Sequence, residues 1–223
     1  MVVYNPQGPT TLATGQVRNP ALTPSVDGDQ VPFSMARDGA MHMVSLHGQW
    51  YSAARRGNLF IASHAAAGVT IPVEDASALA STAGIVNPVT SGVNCELVAI
   101  GIVNTTVAVA VKPNIICFQK NLSTSGGPPT SVTALTSHAL PLSSGVSVAK
   151  CVAHSAATFT NAAEMAPRLN FMGTLQTAVG EAIGFYKFDG MVVFGPDTGM
   201  AIVNSVTAIA GQALTFVWAE WPV

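Results

Sequence analysis

The chain has few charged side chains for its length of 223 residues, with 9 Lys and Arg and 11 Asp and Glu. Charged residues make up 9% of the chain and hydrophobic residues 49%, whereas about a quarter of an ordinary soluble domain is charged. The formal net charge of −2 provides no basic surface of the kind that binds nucleic acid. We therefore expect the solubility of the chain to come from Ser, Thr, Asn, Gln and Gly, or its apolar surface to be buried against other chains.

Long uninterrupted apolar runs are also missing. Residues Leu97–Val111 are broken by Asn104 and two threonines, and Met200–Trp218 is broken by polar residues and Gly211. Neither reaches the roughly 20 apolar residues that a membrane-spanning helix needs. The first residues carry no positive charge of the kind that opens a secretory signal. We expect no membrane partner, and we interpret both runs as pairs of buried strands.

Cysteine is scarce and widely spaced, at Cys95, Cys117 and Cys151. This spacing matches neither a disulfide framework nor a zinc-binding pattern. We expect three small buried side chains in a protein from a reducing compartment. None of the five histidines has Cys or carboxylate partners at ligand spacing, so the sequence predicts no metal and no cofactor.

Catalytic motifs are absent as well. The chain has no nucleophile elbow, no recognisable Ser/His/Asp context and no phosphate-binding glycine loop. The segment Asp27-Gly28-Asp29 lacks the downstream glutamate of a calcium-binding loop and is better interpreted as a turn. We therefore expect no catalytic residues and no enzymatic activity.

The first 70 residues differ from the rest in proline content and in hydrophobic periodicity. They hold five of the 14 prolines and show little periodicity, which opposes both helices and central strands. Asp27-Gly28 and Asp38-Gly39 are tight-turn dipeptides. We predict an extended N-terminal arm over residues 1–70 with short β-hairpin pieces, followed by a second domain over residues 71–223.

From Ile85 onward, short runs of β-branched residues and alanine alternate with turn residues, a pattern typical of a β-sandwich or barrel. Residues 122–130 have the composition of a surface loop, and the best chance of a helix is Asn161–Met165, before Pro167. The fold class predicted is all-β, a jelly-roll-like β-sandwich. The predicted strands are Glu96–Val103, Thr105–Val111, Ile115–Gln119, Ser131–Thr136, Val146–Ala153, Glu181–Phe188, Met191–Phe194, Met200–Val206 and Ala213–Trp221.

Two groups of residues are candidates for contacts with other chains. Trp50-Tyr51 and Arg55-Arg56 form a patch that mixes aromatics with arginine, the residue types enriched at interface hot spots. The alternative is a strand end followed by a solvated basic turn. Trp218 and Trp221 are three residues apart, so a regular strand places them on opposite faces, where one can seal the core while the other contacts a neighbour.

Three segments resemble those of tailed-bacteriophage virion structural proteins. Asp27–Met43 is similar to the pattern D-G-D-x-V-P-Φ-x-Φ-x-x-D-G-x-Φ-x-V, in which Φ is apolar. Ile85–Val98 resembles the N-P-x-x-S-G entry to a jelly-roll strand, and Phe216–Val223 resembles a closing W-x-E-x-P strand. The resemblance implies a jelly-roll domain with an N-terminal arm, commonly a homotrimer on the capsid surface.

The function expected on this basis is that of a non-enzymatic virion protein, a capsid decoration or cement subunit made in the host cytoplasm. Its partners would be other copies of itself and the major capsid protein or other virion proteins. One alternative is a receptor- or glycan-binding fibre or tail component, against which the aromatic content of 7% weighs. Another is a shell-forming coat protein, which the absence of a basic arm disfavours.

Overall fold

A computed structural model describes residues 49–65, 67–73, 82–105, 114–123, 128–140, 148–159, 165–171, 182–204 and 209–223. The chain divides into two units, residues 1–49 and 50–223. The hairpin predicted over Asp27–Met43, together with His42 and His47, lies outside the described residues.

The described part of the chain is nearly all β, which confirms the predicted fold class. It contains one short helix and thirteen strands: α1 (Tyr51–Arg55), β1 (Leu59–Ser63), β2 (Val69–Ile71), β3 (Ala83–Asn87), β4 (Val93–Asn104), β5 (Asn114–Lys120), β6 (Thr130–Ala134), β7 (His138–Leu140), β8 (Val152–Thr158), β9 (Met165–Phe171), β10 (Ala182–Lys187), β11 (Val193–Phe194), β12 (Thr198–Asn204) and β13 (Ile209–Pro222).

The strands form two antiparallel sheets that pack as a sandwich. The seven-stranded sheet has the order β10-β4-β13-β1-β7, with β11 paired to β4 and β2 paired to β13. The six-stranded sheet has the order β6-β8-β3-β12-β5-β9. The chain crosses repeatedly between the sheets, as from β3 to β4 to β5, so strands that are close in sequence lie in opposite layers, as in a jelly roll.

The seven-stranded sheet includes strands from the segment predicted to be an arm. Leu59–Ser63 pairs with β13, and Val69–Ile71 pairs with the other end of the same strand. Phe60 and Ala62 are buried in the core between the sheets, which explains why this stretch joins the sandwich. The predicted division at residue 70 therefore cuts through the sheet.

The core follows from alternation along the strands, because successive residues of a strand point to opposite faces. On β13, Leu214, Phe216 and Trp218 point inward and are at most 1% exposed. The Trp218 ring stacks on Phe60 with centroids 5.8 Å apart. Burying a large apolar side chain stabilises a fold by about 1.5–3 kcal/mol, so these positions supply much of the stability of the sandwich.

The turn between β3 and β4 confirms the predicted entry to the sandwich. The Asn87 side chain donates hydrogen bonds to the carbonyls of Val93, at 2.8 Å, and Phe194, at 3.2 Å. Ser91 N–H donates to the Pro88 carbonyl, and Gly92 has a φ of +64°, a left-handed conformation that glycine adopts without steric cost. The chain thereby passes from one sheet to the other.

A buried carboxylate links β13 to the segment before β8. Glu220 is 6% exposed, and its oxygens accept hydrogen bonds from the backbone N–H groups of Lys150, at 3.0 Å, and Cys151, at 2.9 Å. The indole N–H of Trp218 donates to the same carboxylate at 3.1 Å. Such bonds offset the cost of removing the carboxylate from water, so Glu220 joins the two sheets by polar contacts.

One predicted strand needs correction in position. The strand predicted over Val146–Ala153 begins instead at Val152 and continues to Thr158. The stretch that offered the best chance of a helix, Asn161–Met165, lies outside the described residues except for Met165, where β9 begins. β9 is an edge strand with a register irregularity opposite β5, a position that accepts Pro167 because an edge strand need not use every N–H.

Other differences concern short elements and loops. Strands β2, β3 and β7 were not predicted from the sequence, and the strand predicted over Thr105–Val111 lies beyond the described residues apart from Thr105, which is not in a strand. The predicted loop at 122–130 begins with Leu122, which is 3% exposed. Ser123 follows, held by two 2.7 Å hydrogen bonds to the carboxylate of Asp197. The start of this loop is therefore attached to the sandwich.

Among the described histidines, His154 is buried and His64 is half-buried. His154 is 0% exposed, and its Nδ1–H donates to the Thr82 carbonyl at 3.0 Å. Its Nε2 has no hydrogen-bond partner among the described residues. Burial, with a smaller contribution from nearby His64, lowers the pKa of His154 to about 4. Burial also lowers the pKa of His64, so both side chains favour the neutral form.

The pKa of His154 predicts that stability falls in mild acid. An unfolded histidine binds its proton near pH 6.5, and folded His154 binds one only near pH 4, so the free energy of unfolding rises with pH between these values. The contribution is about 3 kcal/mol. Urea unfolding of His154→Gln from pH 4 to 7 should show a shallower dependence on pH. His138→Gln, at an exposed position, should retain the native slope, and an unchanged slope in His154→Gln would contradict the assignment.

Candidate interaction surface

The helix α1 lies on the outer face of the seven-stranded sheet. It begins after Trp50 and ends at a glycine stop: Gly57 has a φ of +73°, and its N–H donates to the Ala54 carbonyl while Asn58 N–H donates to the Ala53 carbonyl. These two bonds form a Schellman motif, which ends a helix with a left-handed residue. The stop turns the chain directly into β1.

One side of α1 is buried against the sheet. Ala53 is 3% exposed and packs in an apolar cluster with residues of β1, β4 and β13. The side chains of this outer cluster, with the partly buried residues around it, are Trp50, Ala53, Ala54, Leu59, Val98, Ala99, Leu140, Val217, Ala219 and Trp221. The opposite side of the helix remains in solvent, where Tyr51, Arg55 and Arg56 are exposed.

Trp221 is fixed on this outer face by a polar contact. Its indole N–H donates to Glu96 Oε2 at 2.7 Å, and Glu96 lies on the neighbouring strand β4, opposite Ala219. The side chain is partly buried against the outer cluster. An interfacial tryptophan that is already held in one conformation loses little entropy on contact with a partner.

The structure brings together five of the six residues predicted to mediate interactions. Trp50, Tyr51, Arg55 and Arg56 belong to or adjoin α1, and Trp221 packs on the same face of the sheet. Residues Tyr51–Arg55 form a short helix. The alternative drawn from the sequence, a strand end followed by a solvated basic turn, is therefore wrong about the strand.

Trp218 is the exception among the six predicted residues. Its side chain is 0% exposed and lies between the sheets, so it cannot contact a partner of the folded chain. Its separation from Trp221 confirms that the two tryptophans lie on opposite faces of β13.

A second part of the outer face carries exposed apolar side chains at the edge of the sheet. Phe185 of β10 is 59% exposed, Val193 of β11 is 54% exposed, and Val103 of β4 is 37% exposed. Met191, in the turn between β10 and β11, is 73% exposed. We call these four residues the edge patch. Sequence alternation predicted the strands, but it could not show which face of them remains uncovered.

The residues paired with Phe185 across the sheet are uncharged. Phe185 pairs with Gly101, which pairs in turn with Thr215 of β13. A Cβ added at Gly101 would lie 3.3 Å from Cδ2 of Phe185, so the ring covers the glycine and rests on the sheet. Lys187, two residues along β10, is the nearest charged residue on this strand.

Two concave regions lie on the sandwich. A cavity of about 460 Å³ opens between the sheets at one end, next to the edge patch: Met191 and Val193 line it, together with Phe118, Lys120, Leu169 and Phe194 among others. A groove of about 450 Å³ lies beside the 122–130 loop. The described residues that line the groove include no aromatic ring, and the Asp197 carboxylate there is already bonded to Ser123. This lining is a poor platform for a sugar, which favours aromatic stacking and free hydrogen-bonding groups.

Within the described ranges, no three His, Cys, Asp or Glu side chains cluster closely enough to hold a metal ion. Over the same residues, no helix has the length and apolar character needed to cross a membrane.

Comparison with known proteins assigns the chain to no family. No family model matches the chain, and no curated protein matches it. Among solved structures, a chain from Cocksfoot mottle virus aligns with 93% of this chain and 97% of its own length, at 12% identity and a TM-score of 0.22. A TM-score this low does not establish a common fold.

The burial of Ala53 predicts how firmly α1 is held. Ala53→Asp places a charged group against the apolar outer cluster, and we expect a loss of about 2–4 kcal/mol in the free energy of unfolding. Ser52→Asp, on the exposed side of the same helical turn, is the matched control and should change stability by less than about 0.5 kcal/mol. Chemical denaturation followed by tryptophan fluorescence measures both. Equal effects of the two variants would show that α1 does not pack as described.

Proposed function

We propose that this chain is a non-enzymatic structural subunit of a virion, which decorates the capsid surface as a cement subunit. In this role it binds other copies of itself, as a homotrimer, and the capsid protein beneath. The observation that supports the proposal most is the outer face of the seven-stranded sheet, where the edge patch exposes large apolar side chains and α1 presents Tyr51, Arg55 and Arg56.

The edge patch supports association between copies. A monomeric soluble protein rarely leaves a contiguous apolar surface of several hundred Å² in water, and a specific interface buries about 800 Å² on each partner. The patch also lies on β10 and β11 beside β4, and a sheet edge is a common site of pairing with another chain. With only 9% of its residues charged, the chain has little electrostatic repulsion to oppose such contact.

The helix side of the same face supports contact with a different partner. Arg55 and Arg56 are exposed next to Tyr51, and arginine and tyrosine are enriched at interface hot spots. Their backbone is held by the Schellman motif and by the burial of Ala53, so they are presented on a rigid element. We assign this part of the face to the capsid protein and the edge patch to other copies of the chain.

Receptor binding by a fibre or tail component is the second candidate function. The groove beside the 122–130 loop is the feature that favours it, because loops at the end of a sandwich often carry binding sites. Its apolar lining and the engaged Asp197 carboxylate leave few groups for recognition of a polar ligand. We therefore rank this function below capsid decoration.

A substitution in the edge patch tests self-association. Phe185→Asp places a charge where a neighbouring copy would exclude water, and we expect the dissociation constant of the oligomer to rise at least about tenfold. Val148→Asp is the matched control, because Val148 is 88% exposed and lies outside the patch. Native mass spectrometry over a dilution series measures both variants. A wild-type chain that remains monomeric at every concentration would contradict the proposed trimer.

We also propose that the N-terminal arm helps α1 to anchor the subunit on the capsid, and removal of residues from this arm tests its part in attachment to the virion. Deleting residues 1–48 keeps α1 and β1, so the sandwich retains its sheet, and we expect lower occupancy on capsids with the same oligomeric state. Imaging of particles labelled on this chain measures occupancy and position together. The proposal is supported if the label lies over the capsid shell and the deletion lowers the amount of label there. Label confined to the tail would support the fibre function, and unlabelled particles would contradict a virion role.

A further inference from the structure

We propose that Cys95 and Cys151 form a reversible disulfide site that can join the two sheets covalently. Cys95 belongs to β4 of the seven-stranded sheet, and Cys151 immediately precedes β8 of the six-stranded sheet. Both side chains lie in the core between the sheets, at 0% and 1% exposure. A bond between them would therefore cross the sandwich.

The position of Glu220 brings the two cysteines to the same place. Cys95 is the direct partner of Glu220 in the pairing of β4 with β13. The Glu220 carboxylate reaches across the core and accepts the backbone N–H of Cys151 at 2.9 Å. Both cysteines therefore lie beside the same carboxylate in one core cluster, and Cys151 is near enough to contribute to the raised pKa of Cys95. A disulfide requires Cα atoms within about 7 Å and side chains that point toward each other, and two thiols on facing sheets beside one carboxylate are placed for it.

Cys117 does not share this arrangement. It lies in a separate cluster with Val86, Ala201 and Phe159, on the outer side of the six-stranded sheet, whereas Ile116 and Phe118 on either side of it point into the core. The fold thus separates Cys117 from the other two cysteines by the thickness of a sheet. It provides a competitor for oxidation within the same molecule.

The environment of Cys95 makes the reaction slow in the closed fold. Burial raises the pKa of the Cys95 thiol well above its usual range, with further contributions from Cys151, Glu220 and Glu96. The thiolate is the reactive form, so the pair remains reduced unless the end of the sandwich opens or the chain folds in an oxidising solution. The site is stable in a reducing compartment and can close after transfer to an oxidising one.

The oxidant is a small-molecule disulfide, with oxidised glutathione as the probe. One cysteine thiolate attacks a glutathione sulfur, which breaks the glutathione S–S bond and releases one glutathione thiolate. The second cysteine thiolate attacks the protein sulfur of the mixed disulfide and releases the other glutathione. The two protein sulfurs are oxidised, both glutathione sulfurs are reduced, and the two protons pass to the released glutathione.

The test is refolding of the full chain in glutathione buffers of graded redox potential. The wild-type chain should lose the mass of two hydrogen atoms, and peptide mapping should find one linked pair, Cys95 with Cys151. The midpoint of thermal unfolding should rise by roughly 5–15 °C in the oxidised form and return on reduction. Cys117→Ala should behave in the same way, because Cys117 takes no part.

The double variant Cys95→Ala, Cys117→Ala is the control and should form only a mixed disulfide with glutathione. The wild-type chain contains all three cysteines, so peptide mapping of this chain alone shows which pair forms. The test therefore does not depend on whether a variant folds. Linkage through Cys117, mixed disulfides alone at every potential, or an oxidised form that unfolds at a lower temperature than the reduced form would each overturn the proposal.

Discussion

The structure depends on β13 and on the burial of its inner face. This strand lies in the middle of the seven-stranded sheet, pairs with β4 from Gln212 to Pro222, and pairs on its other edge with β1 and β2. Its inward side chains fill the core, and its last inward residue, Glu220, bonds to the backbone before β8. A change that displaces β13 would therefore disturb the sheet, the core and the contact between the sheets together.

The apolar residues form more than one cluster in the sandwich. Besides the core between the sheets, an outer cluster lies under α1 on one sheet, and another, with Cys117 and Phe159, lies on the outer side of the other sheet. A sandwich whose sheets are apolar on both faces needs covering elements, and the short helix α1 is one of them. The edge patch is the part of the seven-stranded sheet where the described residues leave large apolar side chains exposed. Strands that are apolar on both faces account for the hydrophobic composition of the chain. The same strands leave some apolar area exposed, which a partner can cover.

Alternation and turn residues were sufficient to predict the all-β class, most strands of the second half and the opposite placement of Trp218 and Trp221, and the entry at Asn87–Gly92 was implied by a resemblance. The rest depends on tertiary context. A helix of five residues is too short for its period to be visible in a sequence, and only the fold reveals that Ala53 has a sheet to pack against. Strand β9 was not predicted, because nothing in the sequence shows that Pro167 lies in a strand at the edge of a sheet. The exposure of Phe185 and the contact of Cys95 with Cys151 likewise follow from which strands become neighbours.

The interaction surface and the cysteine pair meet at one short stretch of the β4–β13 pairing. Glu220 and Trp221 are adjacent on β13, and Cys95 and Glu96 are adjacent on β4. Because neighbouring residues of a strand face opposite ways, Glu220 and Cys95 point into the core while Trp221 and Glu96 point to the outer face, where they are joined by a 2.7 Å hydrogen bond. A covalent bond from Cys95 to Cys151 would restrain β4, the strand whose Glu96 holds Trp221 on the outer side. Each core residue is thus joined by one peptide unit to a residue of the interaction surface. A chemical change at Cys95 or Glu220 should therefore shift Glu96 or Trp221 without any rearrangement of the sandwich.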